Sequence, residues 1–213
     1  MRWSVVVPVK TLGAAKSRLL PADDPSRPEL AIAFLEDALD ALNHSEHVER
    51  VIVVTDDERV RRLVEGCGAQ WMPEAPHFGL NEAAAHGVSQ APPNSPVAVM
   101  AGDLPCLTTP AIDLVLSWAA DYPRAFLSDA QGIGTTMLFA RESADCTPAF
   151  GSRSRARHAQ LGFTELGLDR PASERELLAR ARRDVDTPVD LWDAIRLGVG
   201  PATSRVLDWK QSP

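Results

Sequence analysis

Lysine is scarce in this chain: it occurs at Lys10, Lys16 and Lys210 alone, although the 213 residues include 22 Lys and Arg. Two of the lysines fall in one short stretch, which marks that stretch for attention. Basic residues are outnumbered by 29 Asp and Glu, and the net charge of -7 argues against a nucleic-acid face, which announces itself as a basic patch or stripe. A few cations gathered in one cleft can still hold phosphates. Cysteine is also sparse. Cys67, Cys106 and Cys146 are odd in number and far apart, so no CxxC metal or redox pair forms locally; they read as reduced core thiols of a cytoplasmic protein. No apolar run is long enough for a membrane span or signal peptide, since the first strand already ends at Pro8. Internal repeats and low-complexity linkers are absent, and the Pro-rich stretch 91–96 reads as a loop. None of His44, His47, His77, His86 and His158 sits in a metal-ligand or triad pattern.

What is present is an alternation of short β-branched runs with longer segments of helical period. That pattern predicts an α/β protein with a mainly parallel sheet and helices on both faces. Strands are expected at 3–7, 51–55, 69–71, 97–101, 124–128 and 135–140. Leu30, Ala33, Phe34, Ala38 and Leu42 share one stripe of a helix over 28–42, which should lie on the sheet. Shorter helices fit 58–65, 82–89 after an Asn81 cap, and 111–119 behind Thr109-Pro110. A last helix begins at Thr187-Pro188, with Asp190 completing a capping box. Residues 1–203 read as a single domain and 204–213 as a flexible tail.

Four stretches could carry chemistry. The loop from Pro8 to Leu19 (PVKTLGAAKSRL) follows the first strand, at the carboxyl edge where open α/β sheets bind ligands. Its Lys10, Lys16 and Arg18 suit a polyphosphate; a solvated basic turn is the plain alternative. It is neither a GxxxxGK[ST] loop nor a GxGxxG loop. Gly102-Asp103-Leu104-Pro105 follows the apolar strand 97–101, so Asp103 stands at a strand tip, where a carboxylate can hold magnesium or merely cap a turn. In Asp184-Val185-Asp186-Thr187-Pro188 an extended backbone would put both acids on one side with Val185 in the core; both could equally serve the helix dipole. Finally, Gly132-Ile133-Gly134-Thr135-Thr136 and Phe150-Gly151-Ser152-Arg153-Ser154-Arg155 combine glycines, hydroxyls and guanidinium groups, which suit a second anionic substrate or a plain turn beside a basic loop. Arg155, Arg157 and His158 could be the solvated face of a short helix. Asn81 lies at another strand-to-helix loop, as a ribose or base contact or as a cap. Trp118 and Trp192 read as core or subunit contacts.

Taken together, PVKTLGAAKSRL, GDLP, GIGTT, FGSRS, DVDTPVDL and LGVGPAT resemble the guanylyltransferase family of deazaflavin coenzyme F-420 biosynthesis, over nearly the whole chain. The family activates phosphoenolpyruvate or 2-phospho-L-lactate with GTP. The resemblance implies a Rossmann-like, GT-A-like nucleotidyltransferase fold, similar to the enzymes that attach GMP to molybdopterin. It implies Mg2+ on Asp103 and Asp186, with Lys16 and Arg18 joining these two acids as catalytic residues. Nucleotide contacts would come from Pro8, Val9, Lys10, Lys16, Asn81 and Gly102, and phosphoenolpyruvate contacts from Thr135, Gly151 and Ser154. Arg153 departs from the pattern, standing where a family relative carries an acid. Arg- and Ala-rich, Lys-poor composition suggests an actinobacterial type of source, in which family members use phosphoenolpyruvate.

The expected partners are therefore GTP and a small phosphorylated acid, with no nucleic acid and no membrane, and a homodimer is compatible with this reading. An ionised acceptor phosphate needs no general base, which accounts for the lack of a catalytic histidine pattern. Two rivals remain at this point. A molybdopterin or sugar-phosphate nucleotidyltransferase should carry a glycine-rich first loop, unlike PVKTLGAAKSRL, and a non-catalytic nucleotide-binding module should have lost one of the two acids.

Overall fold

The computed structural model describes residues 1–13, 16, 18–21, 23–74, 79–168 and 171–211, the side chains of 209–211 excepted. Ala14, Ala15 and Ser17 of the basic loop, and His77, lie outside the described residues. The strands are β1 (Trp3–Pro8), β2 (Val48–Val54), β3 (Gln70–Met72), β4 (Val97–Met100), β5 (Arg124–Ser128), β6 (Thr135–Ala140) and β7 (Thr164–Glu165). They form a 7-stranded sheet in the order β3-β2-β1-β4-β6-β5-β7. Pairing is parallel except at β6, which runs antiparallel to both β4 and β5. The reversal has a simple cause: the turn between β5 and β6 is too short to hold the crossover that a parallel connection requires.

Every residue of β1 is buried, as befits a strand covered on both faces. Its alternate side chains go to opposite sides. Trp3, Val5 and Val7 enter a cluster with Leu35, Leu39 and Leu42 of α1 (Ser26–Asn43) and Ile112 and Val115 of α4 (Thr109–Ala119). Val6 enters a second cluster with Ala83, Ala84 and Val88 of α3 (Leu80–Val88), together with Phe126 and Phe163. Each such buried aliphatic side chain contributes on the order of 2 kcal/mol relative to an exposed one. The first face also takes Val60 and Val64 of α2 (Glu58–Gly66) and Leu178 and Ala181 of α6 (Arg175–Arg182). The second is flanked by α5 (Ser154–Gln160).

Three expectations change on this evidence. Helix α1 is not a single-faced cover: Leu30 and Phe34 turn away from the sheet into a third cluster with Cys106, Val185 and Ala194. It is a wedge between the sheet and the C-terminal segment, which holds α7 (Pro188–Leu197) and α8 (Pro201–Gln211). Second, the expected tail from residue 204 is the body of α8. Asp37 of α1 accepts hydrogen bonds from the backbone N–H groups of Ala202 (2.8 Å) and Thr203 (3.0 Å), so the first turn of α8 is capped by a distant helix. Gly200 lies flat on Asp37, where a Cβ would overlap the carboxylate, and Arg205 pairs with Glu36 at 2.7 Å. Third, Asn81 does not cap α3, because the cap position belongs to Gly79.

The remaining local signals behave as their chemistry dictates. Thr187 and Asp190 form the reciprocal capping box at the start of α7, and Asp57 caps α2 by accepting from Arg59 and Val60. Cys106 and Cys146 are buried, with burial pushing each thiol up to about 12, while Cys67 is half-buried. Trp118 is a core residue, whereas Trp192 is 70% exposed. No helix among the described residues is long and apolar enough to cross a membrane.

Candidate functional site

A cleft of about 690 Å³ opens along the carboxyl edge of β1 and β4. Its wall includes Pro8, Val9, Lys10, Lys16, Arg18, Gly102, Asp103, Thr135, Gly151, Ser154 and Asp186. Eleven of the twelve expected site residues thus meet in one place, although they come from segments as far apart as residues 8 and 186. The twelfth, Asn81, stands behind the wall. Its side chain donates to the carbonyl of Phe150 (3.2 Å) and accepts from the N–H of Phe150 (2.7 Å). Both ends of the amide are committed to the loop that carries Gly151 and Ser154.

Two backbone staples set the acidic end. Val185 N–H donates to the carbonyl of Asp103 at 3.2 Å, and Gly200 N–H donates to the carbonyl of Pro105 at 2.8 Å. The GDLP turn is therefore held against the C-terminal segment on either side of its carboxylate. Val185 is fully buried, as the extended reading of 184–186 requires, and Asp184 and Asp186 both reach the cleft. Gly102 is small because a Cβ would press on Val9, Val7 and Leu35 at 3.2 to 3.4 Å.

Lys16 binds both separated acids. Its Nζ pairs with Asp103 and, at 3.0 Å, with Asp186. Burial works against its charge, but the two carboxylates outweigh that cost and hold its pKa above the ordinary lysine value. Lys16 has φ 56, a left-handed conformation costing roughly 1–2 kcal/mol in a residue with a side chain. Its backbone is bent toward the acids. Nearby, Leu12 N–H donates to Asp57 at 2.9 Å, which ties the basic loop to the cap of α2.

Asp184 is driven by burial, and then by the neighbouring charges of Asp103, Asp129 and Asp186, to a pKa of about 7. Four acids in electrostatic contact facing one lysine make a locus short of positive charge. The ammonium of Lys16 occupies the place between Asp103 and Asp186 where a hard cation would be favoured. Among the described residues no three His, Cys, Asp or Glu side chains converge on a metal-sized point.

Asp129 went unrecognised in the sequence, although an acid directly after a buried strand is the same signal that marks Asp103. It accepts from Ile133 N–H (2.9 Å) and Gly134 N–H (2.7 Å), holding the 129–134 turn closed. A Cβ at Gly134 would overlap its carboxylate. Arg182 binds the carbonyls of Ser128 and Asp129 from outside, at 3.0 and 2.7 Å.

The opposite end is made differently. His158, for which a solvated helix face was one reading, is fully buried, because α5 turns that side toward Phe126, Phe150 and Phe163. Its Nδ1 lies 2.9 Å from Thr135 Oγ1, and its Nε2 accepts from Ala149 N–H at 3.1 Å. Burial, with Arg157 adding to it, lowers its pKa to about 4. Arg155 pairs with Glu165 at 2.9 Å, and Arg157 donates to the carbonyl of Phe150 at 3.0 Å. Ser154 is buried at the start of α5. Arg153, just before it, adopts φ 57 and lines the cleft, with no ion pair or hydrogen bond to its guanidinium among the described residues.

The fold and the sequence both have known counterparts. Solved structures with the same fold include 4-diphosphocytidyl-2C-methyl-D-erythritol synthase (TM-score 0.61, 13% identity, covering 92% of this chain and 98% of that one). Another is a Mycobacterium tuberculosis H37Rv protein solved in complex with manganese (TM-score 0.58, 16% identity, 91% and 97% covered). Residues 31–162 match the MobA-like NTP transferase domain. Among curated proteins, the phosphoenolpyruvate guanylyltransferase of Streptomyces coelicolor is 48% identical over 97% of this chain and 96% of its own length. Those of Thermomonospora curvata and Geodermatophilus obscurus are each 42% identical, over 96% and 99% of this chain and 88% and 96% of their own lengths. Near-complete coverage at this identity, on a nucleotidyltransferase fold with its acids and lysines in one cleft, shows that the chain belongs to the phosphoenolpyruvate guanylyltransferase family of MobA-like NTP transferases.

Proposed function

We propose that this protein transfers GMP from GTP to phosphoenolpyruvate, releasing pyrophosphate and forming enolpyruvoyl-2-diphospho-5'-guanosine, with Mg2+ on Asp103 and Asp186. The observation that carries the reading is the bridge from Lys16 to both acids: two carboxylates and an ammonium, from residues 16, 103 and 186, gathered at one point of the cleft. The names of the curated relatives support the acceptor and the guanylyl donor, and a manganese-bound structure of the same fold supports a divalent ion.

In this reading Lys10, Lys16 and Arg18 neutralise the polyphosphate, while Pro8, Val9 and Gly102 allow the nucleotide to approach the backbone. Thr135, Gly151 and Ser154 hold the acceptor, and Asn81 acts through the loop it anchors. An oxygen of the acceptor phosphate attacks the α-phosphorus in line; the bond from that phosphorus to the bridging oxygen breaks, and pyrophosphate leaves with the electron pair. No proton has to be removed from an acceptor phosphate that is already ionised. The bound ion would supply charge neutralisation at the phosphate oxygens. Asp103 and Asp186 would hold the ion, and Lys16, which bridges them here, would then serve the leaving phosphates. In this reading the protein is cytoplasmic and binds neither nucleic acid nor membrane; the net charge of -7 supports the first of these exclusions.

The test is pyrophosphate release from GTP and magnesium with phosphoenolpyruvate, with 2-phospho-L-lactate, or with no acceptor, repeated with ATP. Release with GTP and phosphoenolpyruvate is expected. Release with phospholactate alone would move the acceptor and keep the chemistry, whereas release with neither would overturn the reading.

A further inference from the structure

We infer that His158 is a positioning residue that makes Thr135 an obligate hydrogen-bond donor toward the cleft, so that this end of the site is built to receive an anionic oxygen. The inference rests on the proposed acceptor site at Thr135, Gly151 and Ser154 and assigns a role to a residue outside it.

The argument begins with a backbone amide. Ala149 N–H can only donate, and it lies 3.1 Å from His158 Nε2, so Nε2 carries no proton. A neutral imidazole then has its single N–H at Nδ1. That nitrogen is 2.9 Å from Thr135 Oγ1, so the ring donates and the hydroxyl accepts. With this lone pair used, the Thr135 O–H must point its proton elsewhere. Thr135 lines the cleft, and the neighbouring hydroxyl of Thr136 is already spent on the carbonyl of Ala181 at 3.1 Å. Among the described residues no acceptor takes the Thr135 proton, which leaves it available to a ligand.

The ring cannot easily change this arrangement. Phe126, Phe150 and Phe163 surround it at centroid distances of 5.8, 5.3 and 5.8 Å, and burial keeps it neutral far below ordinary pH. A ring flip would turn Cδ2 toward Thr135 and Cε1 toward Ala149, breaking both contacts and costing roughly 1–3 kcal/mol for the unpaired Ala149 donor alone. His158 also joins the two parts of the acceptor site. One nitrogen holds the end of the GIGTT turn and the other holds Ala149, one residue before the FGSRS loop. Because the hydroxyl is preorganised as a donor, a phosphate or carboxylate oxygen meets it with no reorientation cost.

Two amides separate the two nitrogens' roles. In His158→Gln the side-chain oxygen can reach the place of Nε2 and accept from Ala149, with nothing left to donate to Thr135. In His158→Asn the amide N–H falls near the place of Nδ1 and can still donate to Thr135, with Ala149 left unpaired. Steady-state kinetics of both, and of Thr135→Val alone and combined with His158→Gln, should be measured against each substrate, with thermal unfolding as the check on folding. We expect His158→Gln to raise the acceptor KM about tenfold with the GTP KM unchanged, and His158→Asn to recover most of that loss. The double variant should be no worse than Thr135→Val. Equal rises in both KM values, or additive losses in the double variant, would reduce His158 to a packing residue and overturn the inference. Nitrogen NMR of the imidazole is independent of turnover. An Nδ1–H tautomer at neutral pH is required, and an Nε2–H tautomer would sink the inference even in an active enzyme. If no acceptor supports pyrophosphate release, the proposed function fails while the tautomer result still decides the hydroxyl's direction.

Discussion

At the Asp103 end of the cleft, acids and a lysine face one another with water at hand; at the Thr135 end, a neutral imidazole, a hydroxyl and backbone groups are locked together in an aromatic box. Asp186 is 57% exposed on its side chain, whereas His158 is fully buried. In the proposed reaction the charged end would exchange one cation for another when an ion and a polyphosphate enter, so its contacts have to be breakable. The neutral end has nothing to exchange and can be built rigid. A nucleotidyl transfer needs both: an adaptable cradle for the departing polyphosphate and a fixed seat for the nucleophile.

The sharpest way to break this contrast is at the charged end. Asp103→Asn removes one carboxylate charge while keeping the shape, and the Asp103 side chain binds only Lys16 among the described residues. Turnover should fall by about a thousandfold, in the range seen when preorganised electrostatic groups at reacting centres are removed. The unfolding temperature should stay within a few degrees of the parent, because the backbone staples through the Asp103 and Pro105 carbonyls are untouched. Unchanged turnover would remove Asp103 from the metal site.

At the neutral end the corresponding signature lies in stability against pH. His158 has a folded pKa of about 4 against an ordinary 6.5, so between these values the unfolded chain binds the extra proton. Stability contributed by neutral His158 is therefore full above pH 6.5 and is lost as pH falls toward 4, on the order of 3 kcal/mol for a shift of this size. Denaturant unfolding of the parent and of His158→Gln should show the gap between them narrowing as pH drops through that window. A gap that stays constant would mean the imidazole is already charged in the folded protein.

How much of this contrast could be read in the sequence follows from where the partners lie. The charged end was legible because each of its parts stands directly after an apolar strand or before a capped helix, so Lys16, Asp103 and Asp186 are local signals. The same rule reaches Asp129, which directly follows β5. The neutral end was legible in its turns and not in its lock: the partners of His158 are 23 and 9 residues away, and no spacing rule joins them. Helix α8 was hidden for the same reason. Its cap is Asp37, 165 residues distant, so the sequence after Gly198-Val199-Gly200 shows no local side-chain cap, and Pro201 at the first helical position is the one start signal it carries. Strand β7, two residues long, and α6, whose sequence RELLARAR is half charged, carry too little apolar periodicity to stand out.

The smallest expected effect sits at the border between the two ends, at Arg153. Its left-handed backbone costs about 1–2 kcal/mol, and its guanidinium, unpaired among the described residues, belongs to a residue lining the cleft with Gly151 and Ser154. Strain kept at a pocket wall is an invitation to look for what it aims at. An anionic acceptor would give that guanidinium its missing partner, while the exposure of the side chain limits the gain. Arg153→Ala should raise the acceptor KM by about three- to tenfold with kcat and the GTP KM little changed, and Arg153→Gly should relieve the backbone strain yet show the same acceptor defect. If Arg153→Gly matches the parent in acceptor KM, the charge has no part in the acceptor seat, and the strained turn serves only to begin α5.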